Sequence, residues 1–229
     1  MLRLDKLLSE AGVASRKELK NIIRAGRVTV DSIVVRSPEQ KVDEQTAAVC
    51  VDGQRVGKQR MILLMLHKPA GFVTSTDDPR DPTVMELIPP EYAYLRPMPV
   101  GRLDKDTEGL LLFTNDGQLA HRILSPKKEV WKRYYAEHEG EAGEDDIKAF
   151  ADGIELKDGD ICRPAKLIPQ GAGKSLVEIC EGKYHQVRRM LASRGMPVTY
   201  LKRISEAGLV LGDLPLGHCR EVEVSELQL

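Results

Sequence analysis

The stretch Gly101-Arg102-Leu103-Asp104-Lys105-Asp106-Thr107-Glu108-Gly109-Leu110-Leu111-Leu112 sets the reading of this chain. Two glycines bound a short polar segment, and residues 110–113 (LLLF) follow as an apolar strand. A loop anchored on a rigid strand is where proteins commonly present functional groups. Taken alone, the residues leave Asp104 two roles: a turn cap, as short acidic side chains often are, or a working carboxylate. Asp104, Asp106 and Glu108 recur at every second position, which aligns them only on a strand. In a loop, with no histidine nearby, they make a poor cation site, and no metal is expected.

Outward from this loop, residues 61–66 (MILLML) form an unbroken apolar run, short enough for a buried strand. HKPAG (67–71) turns the chain, residues 72–75 (FVTS) resume extended character, and residues 176–179 (LVEI) add a further apolar strand. Helices are expected near 117–124 and 144–151. Pro/Asp-rich segments at 77–82, 89–90 and 97–99 mark long loops. Short strands and helices without a strict βαβ rhythm predict an α+β fold.

The N-terminal residues have their own pattern. Leu4, Leu7, Leu8 and Ala11 line one helical face, and Gly12 can end that helix in the left-handed conformation. Ser15 and Glu18 have capping-box spacing for a second helix that runs to about Ala25 and buries Leu19, Ile22 and Ile23. Gly26 stops it. VTV (28–30), a turn at Asp31-Ser32 and IVV (33–35) read as a hairpin. Arg16, Lys20 and Arg24 fall at i, i+4 and i+8, on one stripe opposite the apolar face. A charged stripe is usually a solvated face. Unpaired like charges at this spacing cost stability, which points to an anionic partner. Residues 1–58 are assigned to this module and its linker, and residues 59–229 to a second domain.

Composition narrows the class. The 229 residues carry 34 Lys+Arg against 35 Asp+Glu, a formal net charge of −1, with 41% hydrophobic side chains. That rules out wholesale disorder. The charge is segregated: +4 over residues 1–36, −8 over 137–160 and +6 over 161–220. Local charge decides what a surface binds, so the near-zero sum does not exclude a nucleic acid. The four cysteines lack CxxC spacing, and no window is long and apolar enough to span a membrane, so a cytoplasmic protein without membrane contact is expected. Aromatics make up 4% of the chain, which disfavours a single-strand binder built on many stacking platforms. GAGKS (171–175) lacks the upstream glycine of a P-loop, where Ile168 stands instead, and no G-x-S-x-G is present.

Residues 2–31 (LRLDKLLSEAGVASRKELKNIIRAGRVTVD) resemble throughout the small RNA-binding module named after ribosomal small-subunit protein S-four. The resemblance implies RNA contact by Arg3, Lys6, Arg16, Lys17, Lys20, Arg24 and Arg27. Ser32, where that hairpin often has Gly, is a departure that bears on turn geometry. GRLDKDTEGLLL resembles the signature of pseudouridine synthases, in which the Asp of G-R-L-D is essential. HKPAG, WKRYY (131–135) and EGKYHQVRRML (181–191) are similar to three further motifs of that family, in the same order.

This resemblance implies a mixed, largely antiparallel-sheet catalytic domain that isomerises uridine in RNA and needs no cofactor. It implies Asp104 as the catalytic residue, nucleophile or base, Tyr134 stacked on the target base, and Arg188 holding Asp104 ionised. It also implies RNA contacts from Lys68, Arg102, Lys132, Arg133, Gln186 and Arg189. STDDPRDPTV (75–84) and KYHQVRRM (183–190) look most like bacterial enzymes acting on 16S ribosomal RNA. Large-subunit relatives tend to have an Asn-Arg-type pair in place of His185-Gln186. The expected partner is ribosomal RNA or a pre-ribosomal particle, bound by a monomer. The alternatives are a 23S ribosomal RNA synthase and a non-catalytic RNA-binding assembly protein.

Overall fold

The computed structural model describes residues 1–44, 46–57 and 60–229. The chain forms two compact units, Met1–Met61 and Ile62–Leu229. The boundary expected between 58 and 59 lies outside the described residues.

In the first unit the helices Leu4–Glu10 and Arg16–Arg24 pack Leu4, Leu8, Leu19 and Ile23, all fully buried, against Val28, Val35 and Val49. The capping box is present: the Ser15 hydroxyl accepts from Glu18 N, and Glu18 accepts from Ser15 N at 2.9 Å. Val28–Val30 and Ile33–Val35 form the hairpin, extended by Val49–Val51 and Gln54–Arg55 into four strands. Asp31 and Ser32 both take positive φ, 50° and 69°, as a two-residue hairpin turn requires. The Asp31 carboxylate accepts from Ala48 N at 2.8 Å and steadies the turn, so Ser32 leaves its geometry intact.

The second unit is built on a nine-stranded sheet. Its main path runs Lys166–Pro169, Lys174–Ile179, Lys132–His138, Val198–Glu206, Glu108–Thr114, Leu63–Lys68 and Cys219–Glu221. All neighbours are antiparallel except Val198–Glu206 with Glu108–Thr114 at the centre. Both faces are covered. Leu64, Leu66, Leu111 and Phe113 face one core, and Leu63, Met65, Leu110 and Leu112 face the other. Burial on both faces is why these strands read as continuous apolar runs rather than alternating ones. Helices Gly117–Leu124 and Glu144–Asp152 form where expected. Among the described residues, 72–75 make a single bridge, Val73 with Thr83, and the Thr74 hydroxyl donates to Leu103 O.

The parallel pair meets at Gly109, opposite Arg203. A Cβ on Gly109 would lie 2.2 Å from the Arg203 carbonyl oxygen, and its φ is +113°. Only glycine lets the strands close here. Gly109→Ala is expected to cost on the order of 3 kcal/mol, measured as a lower urea midpoint at unchanged slope.

Candidate active site

The loop carrying Asp104 has no regular structure of its own and is held from below. Lys68, at the end of the Leu63–Lys68 strand, is fully buried. Its ammonium donates to the carbonyls of Pro69 (3.0 Å), Asp104 (3.0 Å), Lys105 (3.3 Å) and Thr107 (2.9 Å). Gly71 N donates to Lys105 O at 2.7 Å, and Thr74 Oγ1 donates to Leu103 O at 2.7 Å. Carbonyls that point inward would be orphaned without this cation. Burial pulls the Lys68 pKa down to about 8, with Asp106, Asp104 and Glu108 pulling the other way. Lys68 was expected on the RNA surface. The structure corrects this, because its charge is enclosed by its own loop.

Above the loop opens a cleft of about 620 Å³, within the usual size of a ligand site. Asp104 lines it, one third exposed, with His185 Nε2 3.4 Å from its Oδ1. Tyr134 lines it from the strand Lys132–His138, almost wholly buried, with Ala136 and His138 on the same strand face. Arg203 also lines it and is fully buried. Its Nε donates to Leu110 O at 2.7 Å, its Nη1 to Tyr134 Oη at 3.4 Å, and its Nη2 lies 3.1 Å from Glu206 Oε2. Burial opposes the Arg203 charge, but Glu206 and then Tyr134 outweigh it and hold the pKa above the ordinary value. Burial raises the Tyr134 pKa despite Arg203, so the phenol keeps its proton. Lys132 lines the same cleft, its pKa lowered by burial against the pull of Glu206.

Several expected contacts sit elsewhere. Arg188 pairs with Asp106 at 2.9 Å and reaches Thr107 Oγ1 at 3.5 Å, so its carboxylate partner is Asp106 rather than Asp104. The two carboxylates are two residues apart in one loop, and spacing alone does not say which turns toward the helix Gln186–Ser193 that carries Arg188. Gln186 does line the cleft, but it is buried and its amide is engaged within the protein: its Nε2 donates to Glu181 at 2.6 Å and its Oε1 accepts from Lys183 N at 2.9 Å. Arg189 is held by Asp158 and Asp160 and donates to Tyr184 O at 3.2 Å, so its charge is already neutralised. Arg133 is likewise paired, with Glu178 at 2.6 Å. Of the cations expected here, Arg102 and Lys132 do line the cleft, joined by Arg163 and Lys183, which sequence reading passed over. Arg203 was missed as well. Nothing in VTYLKRISE (198–206) marks it until the antiparallel register with Lys132–His138 sets it opposite Tyr134.

Residues 62–193 match the RNA pseudouridylate synthase family, and residues 2–46 match the S4 domain. The RNA pseudouridine synthase YtzG of Bacillus subtilis is 42% identical, over 100% of this chain and 98% of its own length. The ribosomal small subunit pseudouridine synthase A of Vibrio parahaemolyticus is 41% identical, over 93% of this chain and 91% of its own length. A crystal structure of a pseudouridylate synthase superposes with a TM-score of 0.69 at 33% identity, covering 99% of this chain and 98% of that one. The chain is an RNA pseudouridine synthase.

The synthase therefore has RNA as its partner, and its S4 domain sorts its cations into two kinds. Asp5, fully buried, receives a bidentate contact from Arg3 (3.0 and 2.9 Å) and a third bond from Arg16 (3.2 Å). Arg27 is bound to Asp52, and Lys6 lies 3.6 Å from Glu10. Lys17, Lys20 and Arg24 are exposed and have no carboxylate partner among the described residues. Among the described residues no group of side chains is suited to a metal, and no helix is long and apolar enough to cross a membrane.

Two measurements follow from this arrangement. kcat/KM should fall above about pH 8, the pKa of Lys68, because the ammonium that holds the loop is lost there. Lys68→Met should be slow at every pH and lack that limb. In RNA binding, replacing Lys17, Lys20 and Arg24 by Gln together should make the slope of log K against log salt shallower by about 2, as fewer counterions are released. An unchanged slope would mean a merely solvated face.

Proposed function

We propose that this synthase converts one uridine of 16S ribosomal RNA to pseudouridine, acting in the cytoplasm as a monomer on free RNA or on an assembling small-subunit particle. The similarity to the Vibrio enzyme named for the small ribosomal subunit, 41% over 93% of the chain, carries the choice of target. The KYHQVRRM stretch supports it.

The reaction breaks the bond from uracil N1 to the ribose, turns the base within the cleft, and joins C5 to the same ribose carbon. N1 gains a proton and C5 loses one, so the product is an isomer and no electrons are exchanged. Asp104 supplies the carboxylate that acts at the glycosidic bond. It is one third exposed at the cleft wall while its loop is held at the backbone, which leaves the side chain free to meet substrate. Tyr134 carries the flipped base on its ring, at the bottom of the cleft. Arg188 braces the Asp104 loop through Asp106 and Thr107. Arg102 and Lys132 receive phosphates around the opening. These contacts offset the cost of taking a base out of its stack, a few kcal/mol.

Release of tritium from C5-labelled uridine tests the reading. Wild type should release it from 16S transcripts or small-subunit particles. Asp104→Asn should bind the same RNA and release tritium roughly 10²–10⁴-fold more slowly. Release from 23S RNA alone overturns the assigned target.

A further inference from the structure

We propose that Tyr184, stacked on His185 at the mouth of the cleft, is the platform for a second nucleobase, that of a nucleotide next to the target uridine. The inference rests on Asp104's cleft being the site of uridine chemistry. Tyr184 is 75% exposed and lines that cleft. Its ring lies parallel to the His185 imidazole, with centroids 3.8 Å apart and an interplanar angle of 17°. One face of the phenol is thus covered, and much of the ring is left to solvent. In a chain with only 4% aromatic residues, an open ring beside the reacting carboxylate is a costly use of one.

The pair is held in place before any ligand arrives. His185 adopts a left-handed backbone, φ 47°, where the helix Gln186–Ser193 begins. Gln186 closes the turn by accepting from Lys183 N, and Arg189 N donates to His185 O at 2.9 Å. The Arg189 Nη1 donates to Tyr184 O and to Asp160, and its Nη2 pairs with Asp158. His185 in turn lies 3.4 Å from Asp104, which ties the stack to the reacting group. The Tyr184 hydroxyl makes no hydrogen bond among the described residues, so the ring itself is what the site offers.

A nucleobase fits this surface better than any other group RNA carries. Phosphates are matched by Arg102 and Lys132, which line the same cleft and have no carboxylate partner among the described residues. The target uracil goes inward, toward Asp104 and Tyr134. Moving one nucleotide out of its stack leaves its neighbour with an uncovered face, and an exposed aromatic ring can take that face whatever the base.

The test is kinetic and uses whichever RNA the wild-type enzyme modifies. Abasic residues are placed in turn at the nucleotides flanking the target. Wild type should lose about tenfold in kcat/KM at one flanking position. Tyr184→Ala should lose a similar factor on intact RNA and nothing more at that position, because the two removals delete one contact. Tyr184→Phe and Tyr184→Trp should stay close to wild type. If Tyr184→Ala is unchanged on intact RNA, or if its loss multiplies with the abasic loss at every flanking position, the platform is refuted. The multiplied loss would mean that Tyr184 acts by holding His185 against Asp104. An active Asp104→Asn would overturn the reading of the cleft and this inference with it, whereas an inactive one beside an unchanged Tyr184→Ala overturns the platform alone.

Discussion

Four carbonyl oxygens converge on the buried ammonium of Lys68, and the rest of the site hangs from that contact. A loop that must present a carboxylate toward substrate has its own backbone to satisfy. Turned inward, those carbonyls need donors that no strand partner provides. A lysine at the end of a central strand supplies several donors on one atom and adds positive charge beneath three carboxylates. The arrangement carries a cost in desolvation, visible in the lowered pKa, but it fixes the Asp104 loop without using the Asp104 side chain. The parallel strand pair closing over Gly109 brings Arg203 next to the strand that follows that loop, and the antiparallel pairing on its other side sets Tyr134 opposite Arg203.

The segregated charge acquires a structural account. The acidic stretch 137–160 does not simply keep the protein soluble. Asp158 and Asp160 pair with Arg189, Asp160 also with Lys183, and Asp146 with Arg194. The most acidic part of the sequence thus pairs with three cations of the most basic part, Lys183, Arg189 and Arg194, from inside the same unit. What remains positive is placed by the fold rather than by the count: Arg102 and Lys132 at the cleft, and Lys17, Lys20 and Arg24 on the S4 domain.

Features governed by neighbours in sequence were legible from it. The Ser15–Glu18 cap, the hairpin, the buried strands and the Asp104 loop all depend on spacing of a few residues, and the structure bears them out. Features governed by partners across the sheet were not. Lys68 in HKPAG looks like any basic turn residue until the loop 36 positions later folds over it. Arg203 acquires meaning only when Tyr134 lies on one side and Gly109 on the other. Arg188 and Arg189 are adjacent in sequence, yet one faces the Asp104 loop and the other the acidic segment, a split set by the turn of one helix.

The buried trio of Tyr134, Arg203 and Glu206 bears on how the base is received. A phenol at the floor of a wet cleft would ordinarily be free to swing, and a base stacked on it would have to order the ring on arrival. Here Arg203 holds the phenol oxygen and is itself fixed to Leu110 O and faced by Glu206. Neither Glu206 oxygen makes a hydrogen bond among the described residues, so it is retained by charge alone against a buried arginine. Removing either partner strands the other charge in a dry site, a loss of several kcal/mol. The ordering of Tyr134 is therefore completed during folding. Binding energy from the phosphates can then go into extracting the uridine rather than into building the surface that receives it.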